Sequence, residues 1–116
     1  MATAPGKEFL NGFKVPSSVT EAYKVPSTLV GVVISHATIR NYGTTSEAFT
    51  IYMVPSGQSV ANEFKAVVNR AIDPNETISL FEIISEPILT GGSIHAIAST
   101  ATKLSLTVSG SEESAT

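Results

Sequence analysis

Two runs rich in β-branched and aromatic residues, 29–39 and 48–55, dominate the middle of the chain. They are joined by the polar stretch Arg40-Asn41-Tyr42-Gly43-Thr44-Thr45-Ser46-Glu47. Val, Ile, Thr, Phe and Tyr fit a pleated surface better than a helix, so each run is expected to be a strand. In the first, Val30, Val32, Ile34, His36 and Thr38 alternate with Leu29, Gly31, Val33, Ser35, Ala37 and Ile39. Its first half is apolar on both faces, as suits a strand covered from both sides. In the second, Phe49, Ile51 and Met53 oppose Thr50, Tyr52 and Val54, and Pro55-Ser56-Gly57 supplies turn chemistry. The two runs are expected to pair as the central hairpin of an all-β domain.

The remaining pattern agrees with that class. Residues 19–25 alternate weakly, with Val19, Glu21, Tyr23 and Val25 on one face. Residues 93–99 place Ile94, Ala96 and Ala98 opposite His95 and Ile97, and 103–108 place Leu104, Leu106 and Val108 inward. Asp73-Pro74-Asn75-Glu76 reads as a turn leading into a strand over 77–84, in which Ile78 and Leu80 oppose Thr77, Ser79, Phe81 and Ile83. Residues 59–72 are ambiguous. Val60, Phe64, Val67, Val68 and Ala71 form a helical stripe, yet a strand with a bulge at Val67-Val68 suits the all-β surroundings, and a strand is expected. Val-Pro-Ser recurs at 15–17, 25–27 and 54–56, where proline ends edge strands or turns corners. Short strands separated by proline and glycine predict a single antiparallel β-sandwich, jelly-roll or immunoglobulin-like in order. The expected organisation is an extended N-terminal arm over 1–18, a sandwich over 19–110 and a flexible acidic tail over 111–116.

Composition narrows the function classes. A chain of 116 residues affords one core. Seven Lys and Arg are scattered among ten Asp and Glu with no basic stripe, so nucleic acid is not an expected partner. No apolar run approaches the length that spans a bilayer, so no membrane partner is expected either. The absence of cysteine excludes disulfides and thiol chemistry. His36 and His95 lack acidic or histidine neighbours at metal-ligand spacing, and no serine lies in a nucleophile elbow. Asp73 is expected to make a turn hydrogen bond, and Glu82 with Glu86 to guard a strand edge. No catalytic residue, cofactor or metal ligand is assigned, and an enzyme is not expected. In the arm, Phe9, Leu10 and Phe13 either pack back on the chain's own core, dock on a neighbouring subunit, or are disordered.

A set of turn-and-strand signatures spans residues 23–110. These are Tyr23-x-Val25-Pro26, Asn41-x-Gly43, Ile51-Tyr52-Met53-Val54-Pro55-Ser56-Gly57, Ile72-x-Pro74-x-Glu76-Thr77, Gly92-x-x-x-Ala96-x-Ala98-Ser99 and Leu104-x-Leu106-x-Val108-Ser109-Gly110. In them the chain resembles the small β-sandwich virion structural proteins of tailed bacteriophages. That resemblance implies a building block made in the host cytoplasm and resident in the virion. Its leading version is a capsid decoration, or cement, protein that binds the major capsid protein lattice as a homotrimer. In that version Phe9, Leu10 and Phe13 reach across a subunit boundary to bind the partner. The alternative is a tail, neck or fibre component for host attachment, which would present an exposed aromatic patch at Tyr42 and Tyr52.

Overall fold

The computed structural model describes residues 3–114; the outermost ends of the expected arm and tail lie outside the described residues. The strands are β1 (Thr3–Lys14), β2 (Thr20–Lys24), β3 (Leu29–Asn41), β4 (Glu47–Val54), β5 (Lys65–Ile72), β6 (Thr77–Ser79), β7 (Pro87–Leu89), β8 (Ser93–Ala98) and β9 (Leu104–Ser114). One sheet runs β1-β9-β3-β6, with β7 also on β3, and the other runs β2-β8-β4-β5. Every pairing is antiparallel. The pairs are nested: β4 with β5 innermost, then β3 with β6 and β7, then β2 with β8, then β1 with β9. Rolling this nest up adds β9 to β3 and β8 to β4, which is the strand order of a jelly roll and not of an immunoglobulin domain.

The expected central hairpin does not form, because β3 and β4 lie in different sheets and residues 42–46 carry the chain across the sandwich. Burial explains the choice. Val32, Ile34, Ala37 and Ile39 of one sheet and Phe49 and Ile51 of the other enter one core with the inward residues of β8 and β9. Each fully buried large apolar side chain contributes roughly 1.5–3 kcal/mol, and facing strands bury more such groups than neighbouring ones do.

Strict alternation fails twice along β3, at Leu29–Gly31 and in the middle of the strand, where the consequence is larger. Ile34 pairs Gly110 while His36 pairs Ser109, so β3 carries one extra residue there. This bulge leaves both Ser35 and His36 exposed and moves the inward set from Val32 and Ile34 to Ala37, Ile39 and Asn41. Gly110 is the residue that lets the bulge close, because a Cβ there would lie 2.0 Å from the carbonyl oxygen of Val33.

The ambiguous segment resolves as a single 3-10 turn, Asn62–Phe64, followed by β5. Two register shifts against β4 interrupt β5, and Asn69 takes φ 44°. Val67 is buried and Val68 is 61% exposed, so the pair is not buried on both sides, and one of the register shifts falls between Val67 and Arg70. The strand expected over 77–84 stops at Ser79. Leu80 still donates its N–H to Ala37, and the turn that follows tucks Ile83 into the core while Phe81 points out.

The two ends of the chain join the same sheet. Residues 111–114, expected to fray, continue β9 by pairing with β1 on one side and β3 on the other. The N-terminal segment is extended, and over 3–14 it is the edge strand beside β9, with three register shifts. Phe9, Leu10 and Phe13 are partly buried against the core, and Phe9 stacks on Tyr23 of β2 at 5.0 Å between ring centroids. This stack closes one open side of the sandwich. On the opposite side an ion pair between Arg70 of β5 and Glu82 bridges the sheets.

Candidate functional site

Three places on the described surface bring polar or apolar groups together. The first is the end of the sandwich where the connections 42–46, 73–76 and 99–103 meet. Asn41 is fully buried there. Its amide donates to the carbonyls of Thr45 at 2.8 Å and Ile72 at 3.0 Å, and its side-chain oxygen accepts from the Gly43 N–H at 2.9 Å. Glu47, also buried, accepts hydroxyl hydrogen bonds from Ser99 at 2.6 Å and Thr45 at 2.7 Å. Tyr42 donates its hydroxyl to the Thr102 carbonyl, and Ser46 donates to Asp73 at 2.9 Å. Asp73 also donates its N–H to the Glu76 carboxylate, so it serves the turn in which the sequence placed it. The hydrogen bonds of the buried Asn41 and Glu47 go to the loops and to β5, so the knot ties the end of the fold together.

Hydrogen bonds from Ser99, Thr45 and Thr100, helped by the charge of Lys103, hold the Glu47 carboxyl below the usual carboxylate range, against the opposing effect of burial. A depressed folded pKa adds stability that is complete above the unfolded value, ~4.3, and is lost as pH falls through the folded value. Glu47→Gln should therefore be clearly destabilised at pH 7. The gap from wild type should narrow at pH 3, measured as urea midpoints. An unchanged gap would show that the carboxylate charge contributes nothing.

The second place is the outer face of the β2-β8-β4-β5 sheet. The register sets Glu21, His95, Tyr52 and Lys65 in one row across its strands. Tyr52 is only 8% exposed, and the Lys65 ammonium lies 5.9 Å from its ring centroid. His95 approaches Ser93 Oγ at 3.3 Å through Nδ1, while His36 stands exposed on the other sheet. The histidines are not brought together, and among the described residues no three acidic or histidine side chains gather in a way that could hold a metal ion. Tyr42 is 42% exposed although its hydroxyl is tied to Thr102, but Tyr52 is covered, so the two do not make one exposed patch.

The third place is the β6-β7 edge of the other sheet, and it is the site that sequence reasoning missed. Phe81 is 77% exposed, Leu89 69% and Val33 44%. Hydrogen bonds from Leu80 to Ala37 and from Ser85 to Ile34 fix the Phe81 turn beside β3, and β7 pairs with Gly31, Val32 and Val33 further along the same strand. Val33 and Leu89 thus line one hollow on the outer face of β3 and β7, and Phe81 stands exposed in the turn that Leu80 anchors to Ala37. The pattern hid Phe81 by assigning it to a strand that ends earlier. Leu89 carried a usable signal, since Ile88-Leu89 is an apolar pair between Pro87 and Gly91-Gly92 where no strand was expected.

Phe9, Leu10 and Phe13 present no such edge, being half-buried on their own core in this conformation. Nearby, Lys7 pairs with Glu112 at 3.1 Å. The Tyr23 hydroxyl is enclosed with no hydrogen-bond partner among the described residues, and burial followed by the Glu112 charge raises its pKa.

By fold the chain is a jelly-roll β-sandwich, with exposed apolar side chains at Phe81, Leu89 and Val33 beside β7 and at Val68 on β5. No protein-family model matches it, and no curated protein or solved structure does.

Proposed function

We propose that this chain is a virion structural protein of a tailed bacteriophage, a capsid decoration protein that binds the major capsid protein lattice and stabilises the head. The observation that carries the reading is the pair of exposed apolar side chains Val33 and Leu89 on the outer face of β3 and β7, with Phe81 exposed in the turn that precedes β7. A cluster of large exposed apolar residues at one edge marks a docking surface, whereas isolated ones do not. The sequence resemblance across 23–110 supplies the kind of partner. A small rigid sandwich repeated over a lattice raises the free energy needed to separate lattice subunits, because it binds the assembled arrangement and not the dispersed one. A trimer about a local three-fold axis belongs to the same proposal. The tail, neck or fibre alternative has less support, since the aromatic patch it calls for is not formed by Tyr42 and Tyr52.

The test is co-sedimentation with expanded heads of the encoding phage prepared without this protein. Saturable binding with a higher melting temperature of the heads is expected. Heads that neither bind the protein nor gain stability overturn the proposal.

A further inference from the structure

Three hollows meet at one residue, Pro87, and their chemistry describes what would fill them. The first, about 310 Å³, lies between β7 and the end of β4 and is lined mainly by Met53, Val54, Pro55, Ile88 and Leu89. It is apolar. The second, about 170 Å³, lies on the outer face of β3 around Gly31, Val33 and Leu89, and Glu112 and Glu113 form its far side. Its floor is kept flat by Gly31, where a Cβ would lie 2.7 Å from the Ile88 carbonyl oxygen. The third, about 280 Å³, lies on the β5 side of Pro87 and carries Glu63, Glu82 and Glu86 beside Phe64.

Charges around this ridge are unbalanced. Glu82 is paired with Arg70 and Glu112 with Lys7, but Glu63, Glu86 and Glu113 have no ion-pair partner among the described residues. Lys65, at the third hollow, lies over the Tyr52 ring. An apolar ridge is therefore flanked on both sides by unpaired carboxylates. β7 also lies at an edge: among the described residues it pairs with β3 alone, and on its other side the Leu89 carbonyl accepts the Gly92 N–H.

We infer that the β7 edge binds an extended protein segment in which an apolar anchor is flanked by Lys or Arg on both sides. In an extended segment alternate side chains share a face, so the matching pattern is basic-x-apolar-x-basic. Carboxylates on both flanks attract such a segment and repel nucleic acid and anionic lipid. They also oppose a second copy, because a two-fold contact through this edge sets Glu63, Glu86 and Glu113 against the same residues of its mate. The inference rests on the reading of the chain as a docking protein and names the chemistry of what it docks on.

The test uses short peptides of pattern Lys-Thr-Leu-Thr-Lys, Glu-Thr-Leu-Thr-Glu and Lys-Thr-Ser-Thr-Lys, titrated into the full chain while backbone amide shifts are followed by NMR. The first should bind at least tenfold more tightly than the others, with shifts concentrated at 81–89 and 31–33. Binding should weaken tenfold or more in Leu89→Ser and in the Glu86→Lys, Glu113→Lys double variant. Both changes are at surface positions, so thermal midpoints should stay close to wild type. Equal binding of the three peptides, or shifts centred elsewhere, overturns the inference. Concentration-dependent self-association that Leu89→Ser abolishes overturns it in favour of a second copy. If heads bind wild type and Leu89→Ser equally, this inference fails while the decoration role stands. If heads are not bound but the peptide shifts map to β7, the decoration role fails and the inference stands.

Discussion

Gly110→Ala is expected to lower the thermal midpoint by roughly 10 °C or more, about 3 kcal/mol, and to reduce the yield of folded protein. The reason is backbone against backbone. A Cβ at position 110 would sit 2.0 Å from the Val33 carbonyl oxygen and 2.9 Å from its carbonyl carbon, and neither can rotate away as a side chain would. Relief requires β9 to separate from β3 at the bulge, where both neighbouring pairs, Ile34 with Gly110 and Val33 with Ser111, hold the middle of the larger sheet. Gly12→Ala is the informative control. Gly12 has φ +69° but nothing within 4 Å of its virtual Cβ, so only the conformational term, ~1 kcal/mol, applies. Thermal melts of the two variants should differ by at least twofold in the shift of midpoint. Equal shifts would mean that the bulge does not require close approach at Gly110.

Asn41→Leu is expected to destabilise by about 3–5 kcal/mol, although it keeps the branched shape and puts an apolar side chain at a fully buried position. It removes the partner of three backbone groups at once, the carbonyls of Thr45 and Ile72 and the N–H of Gly43. A buried group left unpaired costs about 1–3 kcal/mol. Asn41→Asp should not rescue the loss at neutral pH, since it keeps an acceptor for Gly43 but turns an oxygen toward two carbonyls. Urea denaturation checks both variants. A Leu variant as stable as wild type would show that the loops at this end are held by other contacts.

These two positions show what the sequence made legible and what it did not. Alternation carried through where a strand has one wet face and no bulge: Leu104, Leu106 and Val108 of β9 and Ile94, Ala96 and Ala98 of β8 point where the pattern put them. Asn41-x-Gly43 was visible as a turn signature, but nothing in the residue types said that the turn crosses between sheets, because pairing partners are set by long-range burial. The extra residue at Ser35 in β3 was equally silent, since two polar residues in a row are as compatible with a strand end as with a bulge. The apolar edge was lost for a related reason. Whether Phe81 packs inward or stands out depends on where β6 stops, and β6 stops because Leu80 bonds to Ala37 and starts a turn. Composition excluded thiol and disulfide chemistry but said nothing of the exposed apolar residues beside β7, where Val33 and Leu89 meet from distant parts of the chain.

The central claim is that the chain works by docking through the β7 edge, and hydrogen–deuterium exchange of the protein bound to expanded heads tests it most directly. Protection gained on binding should be concentrated in residues 81–89 and 31–33, with β1 little changed. Protection confined to residues 3–14 would contradict that claim and return the docking role to Phe9, Leu10 and Phe13.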